Sequence, residues 1–263
     1  MFKRNERLKE MNIYIFGANG MLGNYVKDYL SNDFNVIPLT RKEYDLEDLT
    51  CLKKFKPTFN DIVINCAGAI PQRNQNNYYK LNSVFPLLIK CDKFIHITTD
   101  CVFSGNDGNY NETSIHDSPT DYGKSKSLGE LCNATIIRTS IIGEELYNKK
   151  SLLEWVKSNS GKEIHGFVNH HWNGVTCLEL SKIIHKIISE NLFWKGVRHI
   201  FSPRSVSKFE LVSMINDIYS LGITITKLET EKNDKTLTTI YEPIFTIPDI
   251  YNQIKEMKLI SLK

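Results

Sequence analysis

Tyr122 and Lys126 stand four residues apart in Tyr122-Gly-Lys-Ser-Lys126, a spacing that puts a phenol and an ammonium on one helix face. A nearby ammonium stabilises phenolate, which predicts a lowered tyrosine pKa and a proton donor that works near neutral pH. Such pairs also arise by chance on solvated helices, so the reading depends on what precedes them. The apolar run Asn12-Ile-Tyr-Ile-Phe16 leads into Gly17-Ala-Asn-Gly20-Met-Leu-Gly23, followed by helically spaced Val26, Tyr29 and Leu30. Strand, glycine turn and helix in that order are the context that a dinucleotide fingerprint requires. Gly17 permits the turn, Gly20 lets the backbone approach a pyrophosphate at the positive helix end, and Gly23 allows close helix–strand packing. The spacing is G-x-x-G-x-x-G, and an ordinary βα turn is the plainer alternative. Further on, Phe94-Ile-His-Ile-Thr98-Thr99 ends an apolar strand in hydroxyls. In an open parallel sheet ligands bind at that end, where a threonine can hold a substrate carbonyl while the tyrosine supplies a proton.

The elements that must position these residues alternate. Strands are predicted at 35–39, 61–65 and 134–138, with helices over 46–55 and 78–91, the latter interrupted by Pro86. This pattern predicts an α/β fold, a doubly wound parallel sheet of Rossmann type with a smaller C-terminal substrate-binding lobe. The second half reads as helices at 152–158, 178–189 and 205–219 and short strands at 197–201 and 223–225. Thr176-Cys-Leu-Glu179 is read as a capping box. The expected division is a flexible extension over 1–10, an NAD(P)-binding core over 11–143, and a lobe over 144–263 interwoven with it.

Composition narrows the function classes. The chain has 263 residues and a formal charge of +3, too little to argue for nucleic acid, and its apolar runs fall short of a membrane span. Residues 1–10 are charged and lack a signal core, which points to the cytoplasm. The six cysteines have no C-x-x-C pair, and His170-His171 is too divergent for a shared metal, so no metal is expected.

The glycine turn, Thr99-Asp100 and Tyr122-x-x-x-Lys126, taken in order, resemble the extended short-chain dehydrogenase/reductase superfamily. More narrowly, the chain resembles the dTDP-4-dehydrorhamnose reductase family from Ile13 to about Phe245, through Asn65-Cys-Ala67-Gly68, Thr99-Asp-Cys-Val-Phe103, Arg138-Thr-Ser140 and Trp172-Asn-Gly-Val-Thr176. The resemblance implies an NADPH-dependent 4-ketoreductase of a nucleoside-diphosphate 4-keto-6-deoxy sugar, serving surface-glycan precursors. It implies catalysis by Thr99, Tyr122 and Lys126. It assigns the cofactor to Gly17, Gly20, Met21, Leu22, Gly23, Arg41, Asp45, Leu46, Ala67 and Gly68, with Tyr122 and Lys126. Arg41, beyond the second strand, suits a 2′-phosphate and so NADPH, although NADH stays open and a surface arginine is the alternative. Asn82 matches an asparagine of the proton relay, or is a structural amide. Trp172 and Asn173 match the substrate lobe, or Trp172 belongs to the core. Family habit alone implies a homodimer.

Three substrate-side positions depart from the family pattern: Ile70, Cys101 and Ile141 replace a threonine, a tyrosine and a tryptophan. The departures predict a different sugar, with an N-acetylated 6-deoxy-hexosulose on UDP as a candidate. Two other functions compete. A dehydratase needs an Asp-Glu pair after the threonine, and here Asp100 is followed by Cys101, whereas an epimerase uses the same Tyr-Lys pair. A non-catalytic regulatory subunit like that of methionine adenosyltransferase shares the fold.

Overall fold

Successive strand residues send their side chains into two different cores, which is what fixes the central sheet. The computed structural model describes residues 11–73 and 77–260, so the extension expected over 1–10 lies outside the described residues. Five strands, β1 (Asn12–Phe16), β2 (Asn35–Leu39), β3 (Ile62–Asn65), β4 (Lys93–Thr99) and β5 (Thr135–Thr139), run parallel. After four short strands, β6 (Ile141–Ile142), β7 (Glu163–Phe167), β8 (His170–Trp172) and β9 (Val175–Thr176), the chain returns to this sheet as β10 (Gly196–His199). The strand order is β2-β1-β3-β4-β5-β10, with its reversal point between β1 and β3. Ile13, Ile15, Ile62, Ile64, Ile95 and Ile137 face one core, and Phe16, Val63, Phe94 and Ile136 face the other. Alternation with apolar residues on both sides is the mark of a sheet covered on both faces.

On the first face, α1 (Met21–Leu30) packs against a helix of the second half, Cys177–Ser189. On the second lie α2 (Phe85–Leu88) and α3 (Asp121–Gly129), followed in sequence by α4 (Leu152–Ser158), the Cys177–Ser189 helix as α5, α6 (Lys208–Tyr219) and α7 (Ile250–Lys258). The remaining strands β11 (Val206–Ser207), β12 (Thr224–Leu228) and β13 (Asn233–Asp234) form small sheets, β11-β8-β13 and β12-β7. Among the described residues, no helix is long and apolar enough to cross a membrane.

Several expected elements take another form. The segment 46–55 is a 3₁₀ turn, Leu49–Lys54, because the Asp48 side chain accepts the Thr50 N–H at 3.0 Å and tightens the start. Over 78–88 the chain is helical without interruption, through a π turn at Lys80–Val84. Pro86 is the second residue of α2 and directly follows that π turn, so it does not end the helix. The box at Thr176 is half made. Its hydroxyl accepts the Glu179 N–H at 3.1 Å, but its own N–H goes to Gln253 at 2.9 Å. The reciprocal box is Ser207 with Glu210, which starts α6 at Lys208 rather than 205.

The halves are joined at Arg138, 1 % exposed on β5. Its Nε donates to Glu130 Oε1 at 3.0 Å and its NH2 to Glu130 Oε2. NH2 also donates to His116 Nε2 at 2.7 Å and NH1 to His199 Nε2 at 2.8 Å, while the guanidinium lies 5.1 Å from the Phe103 ring centre. A guanidinium can only donate, so both imidazoles accept through Nε2 and are neutral. Their Nδ1 protons go to Ser127 Oγ and to the Thr238 carbonyl, each at 2.6 Å.

Burial first, and then the Arg138 charge, push the His199 imidazole down to about 4. His116 is also lowered, chiefly by burial. A base whose folded pKa is depressed leaves the unfolded chain binding more protons between that value and about 6.5. Stability is therefore full above that window and is lost as pH falls through it. The thermal midpoint should drop between pH 7 and pH 5. His199→Gln, which can still accept from Arg138 but does not titrate, should flatten that slope in melts read by circular dichroism.

Candidate active site

A cleft of about 780 Å³ opens at the carboxyl ends of β1 to β5, across the strand-order reversal. Its floor begins at Gly17, whose φ of +75° and approach to Ala67 leave no room for a side chain, since a Cβ would lie 2.6 Å from the Ala67 nitrogen. Gly23 has a different task. A Cβ there would stand 2.0 Å from the Gly17 carbonyl oxygen, so Gly23 seats α1 under the turn and does not line the cleft. Gly20 faces outward, meeting only the Gly17 oxygen at 3.2 Å. It begins α1 with no side-chain cap, and the first turn carries no acidic residue. Backbone N–H groups and the positive helix end are thus free for an anion, which fits a dinucleotide pyrophosphate.

Beyond β2 the cleft is lined by Leu39, Arg41, Tyr44 and Leu46. Arg41 is 69 % exposed and pairs with Asp45 at 3.5 Å and Glu47 at 3.4 Å. Asp45 does not line the cleft; its carboxylate is spent on Arg41 and on the Glu47 N–H at 3.2 Å. Ala67 and Gly68 line it beyond β3.

The three expected catalytic residues share one wall. Thr99 ends β4 and caps the following 3₁₀ turn, accepting the Cys101 N–H at 3.2 Å and donating to Asp100 Oδ1 at 3.1 Å. The Tyr122 phenol lies close enough to the same hydroxyl for Thr99 to act on its pKa. Thr99 has one proton, directed to Asp100. Tyr122 sits in the first turn of α3, which Thr120 caps through the Gly123 N–H at 3.1 Å. Lys126 lies one turn further, 6 % exposed, with Nζ donating to the Ile97 carbonyl at 3.4 Å.

The expected lowering of the phenol pKa is overturned. Burial raises it, Cys101 and Asp100 add to the rise, and only the Thr99 hydroxyl opposes. Lys126 is itself brought down to about 8 by burial, with Glu130 opposing. Desolvation outweighs the ammonium, and the phenol stays in its proton-donating form across the physiological range.

Asn82 points inward from the π turn and is fully engaged. Its Oδ1 accepts the Ala69 N–H at 2.9 Å, and its Nδ2 donates to the Ala69 carbonyl at 3.0 Å and to Ser125 Oγ at 3.1 Å. It ties the end of β3 to α3. Beneath it, the Asn65 oxygen accepts the Ala67 N–H at 2.9 Å, so its amide donates to His96 Nδ1 at 3.1 Å and holds that buried ring neutral.

Ile70, Cys101 and Ile141 all line the cleft, whereas Trp172 and Asn173 do not. Trp172 is core, 4 % exposed. The Asn173 amide is used up on Leu237, donating to its carbonyl at 2.8 Å and accepting its N–H at 2.9 Å. Sequence reasoning missed the rim loop after β6. Tyr147, Asn148 and Lys150 line the cleft, and Lys150 Nζ reaches across to the Gln72 carbonyl at 3.2 Å. Two consecutive left-handed residues, Asn148 and Lys149, shape that loop, and only its polar Asn-Lys-Lys run signalled it. Among the described residues, no group of three or more His, Cys, Asp or Glu side chains could hold a metal ion.

Comparison with known proteins agrees with this geometry. The family model described as RmlD substrate binding domain matches residues 11–243. The spore coat polysaccharide biosynthesis protein SpsK of Bacillus subtilis (strain 168) is 25 % identical over 241 residues, covering 84 % of this chain and 83 % of its own length. A hypothetical dTDP-4-dehydrorhamnose reductase from Sulfolobus tokodaii superposes with a TM-score of 0.71 at 26 % identity, covering 86 % of this chain and 92 % of its own. The dTDP-4-dehydrorhamnose reductase of Bacillus anthracis, solved in complex with NADP, shares the fold with a TM-score of 0.77 at 21 % identity, covering 94 % and 98 %.

The two glycines should separate in a stability measurement. Gly23→Ala forces α1 off the turn and should cost more than about 2 kcal/mol, as overpacking at a rigid backbone contact does. Gly20→Ala should cost under about 1 kcal/mol. Urea unfolding followed by fluorescence reads both.

Proposed function

This chain belongs to the RmlD substrate binding domain family, and we propose that it is an NADPH-dependent reductase of the 4-keto group of a nucleoside-diphosphate 4-keto-6-deoxy sugar. The observation that carries this reading is Thr99, Tyr122 and Lys126 together on the wall of a cleft whose floor is an uncapped glycine turn. When bound, NADPH supplies a hydride to the carbonyl carbon. The pyrophosphate would rest on Gly20, Met21 and Leu22. Arg41 would take the 2′-phosphate by a charge-assisted hydrogen bond, exchanging weak exposed ion pairs for it. Tyr44 and Leu46 would flank the adenine, and Ala67 and Gly68 would let the backbone approach the nicotinamide half.

The chain's own residues then handle the proton. A keto oxygen entering beside Thr99 and Tyr122 accepts from the phenol, and Thr99 turns its single proton from Asp100 to the same oxygen. The phenol gives its proton to that oxygen as negative charge develops, and Thr99 fixes its position. Lys126 lies on the same face, where it can hold the nicotinamide ribose and offset charge left on the phenol. Its depressed pKa of about 8 still leaves it mostly protonated near pH 7. Gly68 keeps that space open, since a Cβ there would meet Lys126 Nζ and Asn82 Oδ1, each at 3.1 Å.

Ile70, Cys101 and Ile141, all on the cleft wall, would face the sugar. A cysteine and an isoleucine occupy less room than the aromatic residues of the family pattern, which supports a sugar with a larger substituent, such as an N-acetylated 6-deoxy-hexosulose on UDP.

Screening 4-keto-6-deoxy nucleotide sugars for NADPH oxidation tests the reaction. Tyr122→Phe should lower kcat by about 10²–10⁴-fold with NADPH binding retained, the range for loss of a positioned proton donor. Turnover of the ketone at the wild-type rate would remove Tyr122 from the mechanism. Arg41→Ala should raise KM for NADPH about tenfold and leave KM for NADH nearly unchanged, as removal of one charge-assisted hydrogen bond does.

A further inference from the structure

The small sheet β11-β8-β13 brings two lysines to the substrate end of the catalytic strand. Ser207 and Asp234 both pair with His171 on β8, from opposite sides, and each is followed by a lysine, Lys208 and Lys235. Continuing the parallel register by one residue sets Lys235 opposite Trp172, on the same sheet face. Lys208 reaches that face from the first residue of α6, its ammonium 5.1 Å from the Trp172 ring centre. The stem of Lys235 lies against Gly105, where an added Cβ would meet its Cγ at 3.2 Å. Both ammoniums act on Asp100 and Cys101, the two residues after Thr99.

Neither ammonium has a hydrogen bond or an ion pair within 4.0 Å among the described residues, although every other partner in the region is committed. Asp100 receives the Thr99 hydroxyl, and Asp117 receives the Ser104 N–H at 2.7 Å and hydroxyl at 2.6 Å. Asp234 receives the Thr236 N–H and hydroxyl, and Glu210 is held in its capping box. Lys208 is held largely out of water, and burial lowers its pKa. An ammonium withdrawn from water with no acceptor is costly unless an anion completes it. The charges of Asp100 and Asp117 reach these lysines, but neither carboxylate pairs with either ammonium; Cys101 stands beside them where the family pattern has a bulky tyrosine.

We propose that Lys208 and Lys235 take the diphosphate of the nucleotide-sugar substrate, with Cys101 leaving the path to them open. This rests on the nucleotide-sugar reading of the cleft and gives it an orientation: the keto carbon at Thr99 and Tyr122, the phosphates toward the β8 sheet. A diphosphate sits across the sugar ring from C4, and it is the group every nucleotide sugar carries.

Calorimetric titration of the full chain with dTDP, UDP and NADP⁺ tests this without turnover. Lys208→Met and Lys235→Met should each weaken dTDP or UDP binding roughly ten- to hundredfold, the effect of removing one charge-assisted hydrogen bond. NADP⁺ binding should stay within about twofold of wild type, which also reports that the variants fold, and Lys208→Arg should recover part of the loss. Unchanged nucleoside-diphosphate affinity in both methionine variants overturns the proposal, as does a wild-type protein that binds neither dTDP nor UDP. Failure of the reductase reading shows instead as intact diphosphate binding with no NADPH oxidation on any keto sugar.

Discussion

The buried guanidinium of Arg138 is the interaction on which the two halves of this protein depend. It draws Glu130 from the end of α3, His116 from the long loop after β4, and His199 from β10 into one hydrogen-bonded set. His199 carries the set on to the Thr238 carbonyl. Glu112 extends it by accepting the His199 N–H at 2.9 Å, the Thr239 hydroxyl at 2.7 Å and the Ile240 N–H at 3.0 Å. Through these links the helix that bears Tyr122 and Lys126 is fixed relative to the chain that bears Lys235. A lysine could not replace Arg138, because its single nitrogen cannot satisfy three partners in different directions.

The site is built from desolvation as much as from charge. Tyr122, Lys126, Asp100 and His96 are all withdrawn from water, and each shifts toward its neutral form. The consequence is a wall in which Tyr122 waits as a protonated phenol with the Lys126 ammonium one helical turn away. Donors held out of water in this way act more strongly on a keto oxygen than they would in solution. His96 Nε2 and Thr98 Oγ1 lie beneath the cleft, buried and without a protein hydrogen-bond partner among the described residues.

Local patterns made most of the fold legible in the sequence. The strand–glycine–helix order, the hydroxyl-ended strand and the Tyr-Lys spacing are short-range features, and the cleft brings together Gly17, Gly20, Thr99, Tyr122 and Lys126. What escaped depends on distant partners. Arg138 meets residues 8, 22 and 61 positions away, so its set could not be read from spacing. Trp172 and Asn173 carry polar atoms that suit a ligand, but a core and the Leu237 backbone claim them. The phenol pKa went the other way because an i, i+4 neighbour is visible in sequence and burial is not. Pro86 misled for a related reason: the widened π turn directly before it, which keeps it from ending the helix, is not visible in sequence.

That widened turn also constrains how the chain can vary. The π segment Lys80–Val84 holds one residue more than an α-helix would over the same rise, and the surplus aims Asn82 at Ala69 and Ser125. Loss of one residue between 80 and 84 would restore ordinary pitch and leave the later turns in phase, so Phe85 could keep its place against Phe16. What would be lost is the widened turn that aims Asn82 at the end of β3. Segment length is therefore as much a part of the site as residue identity.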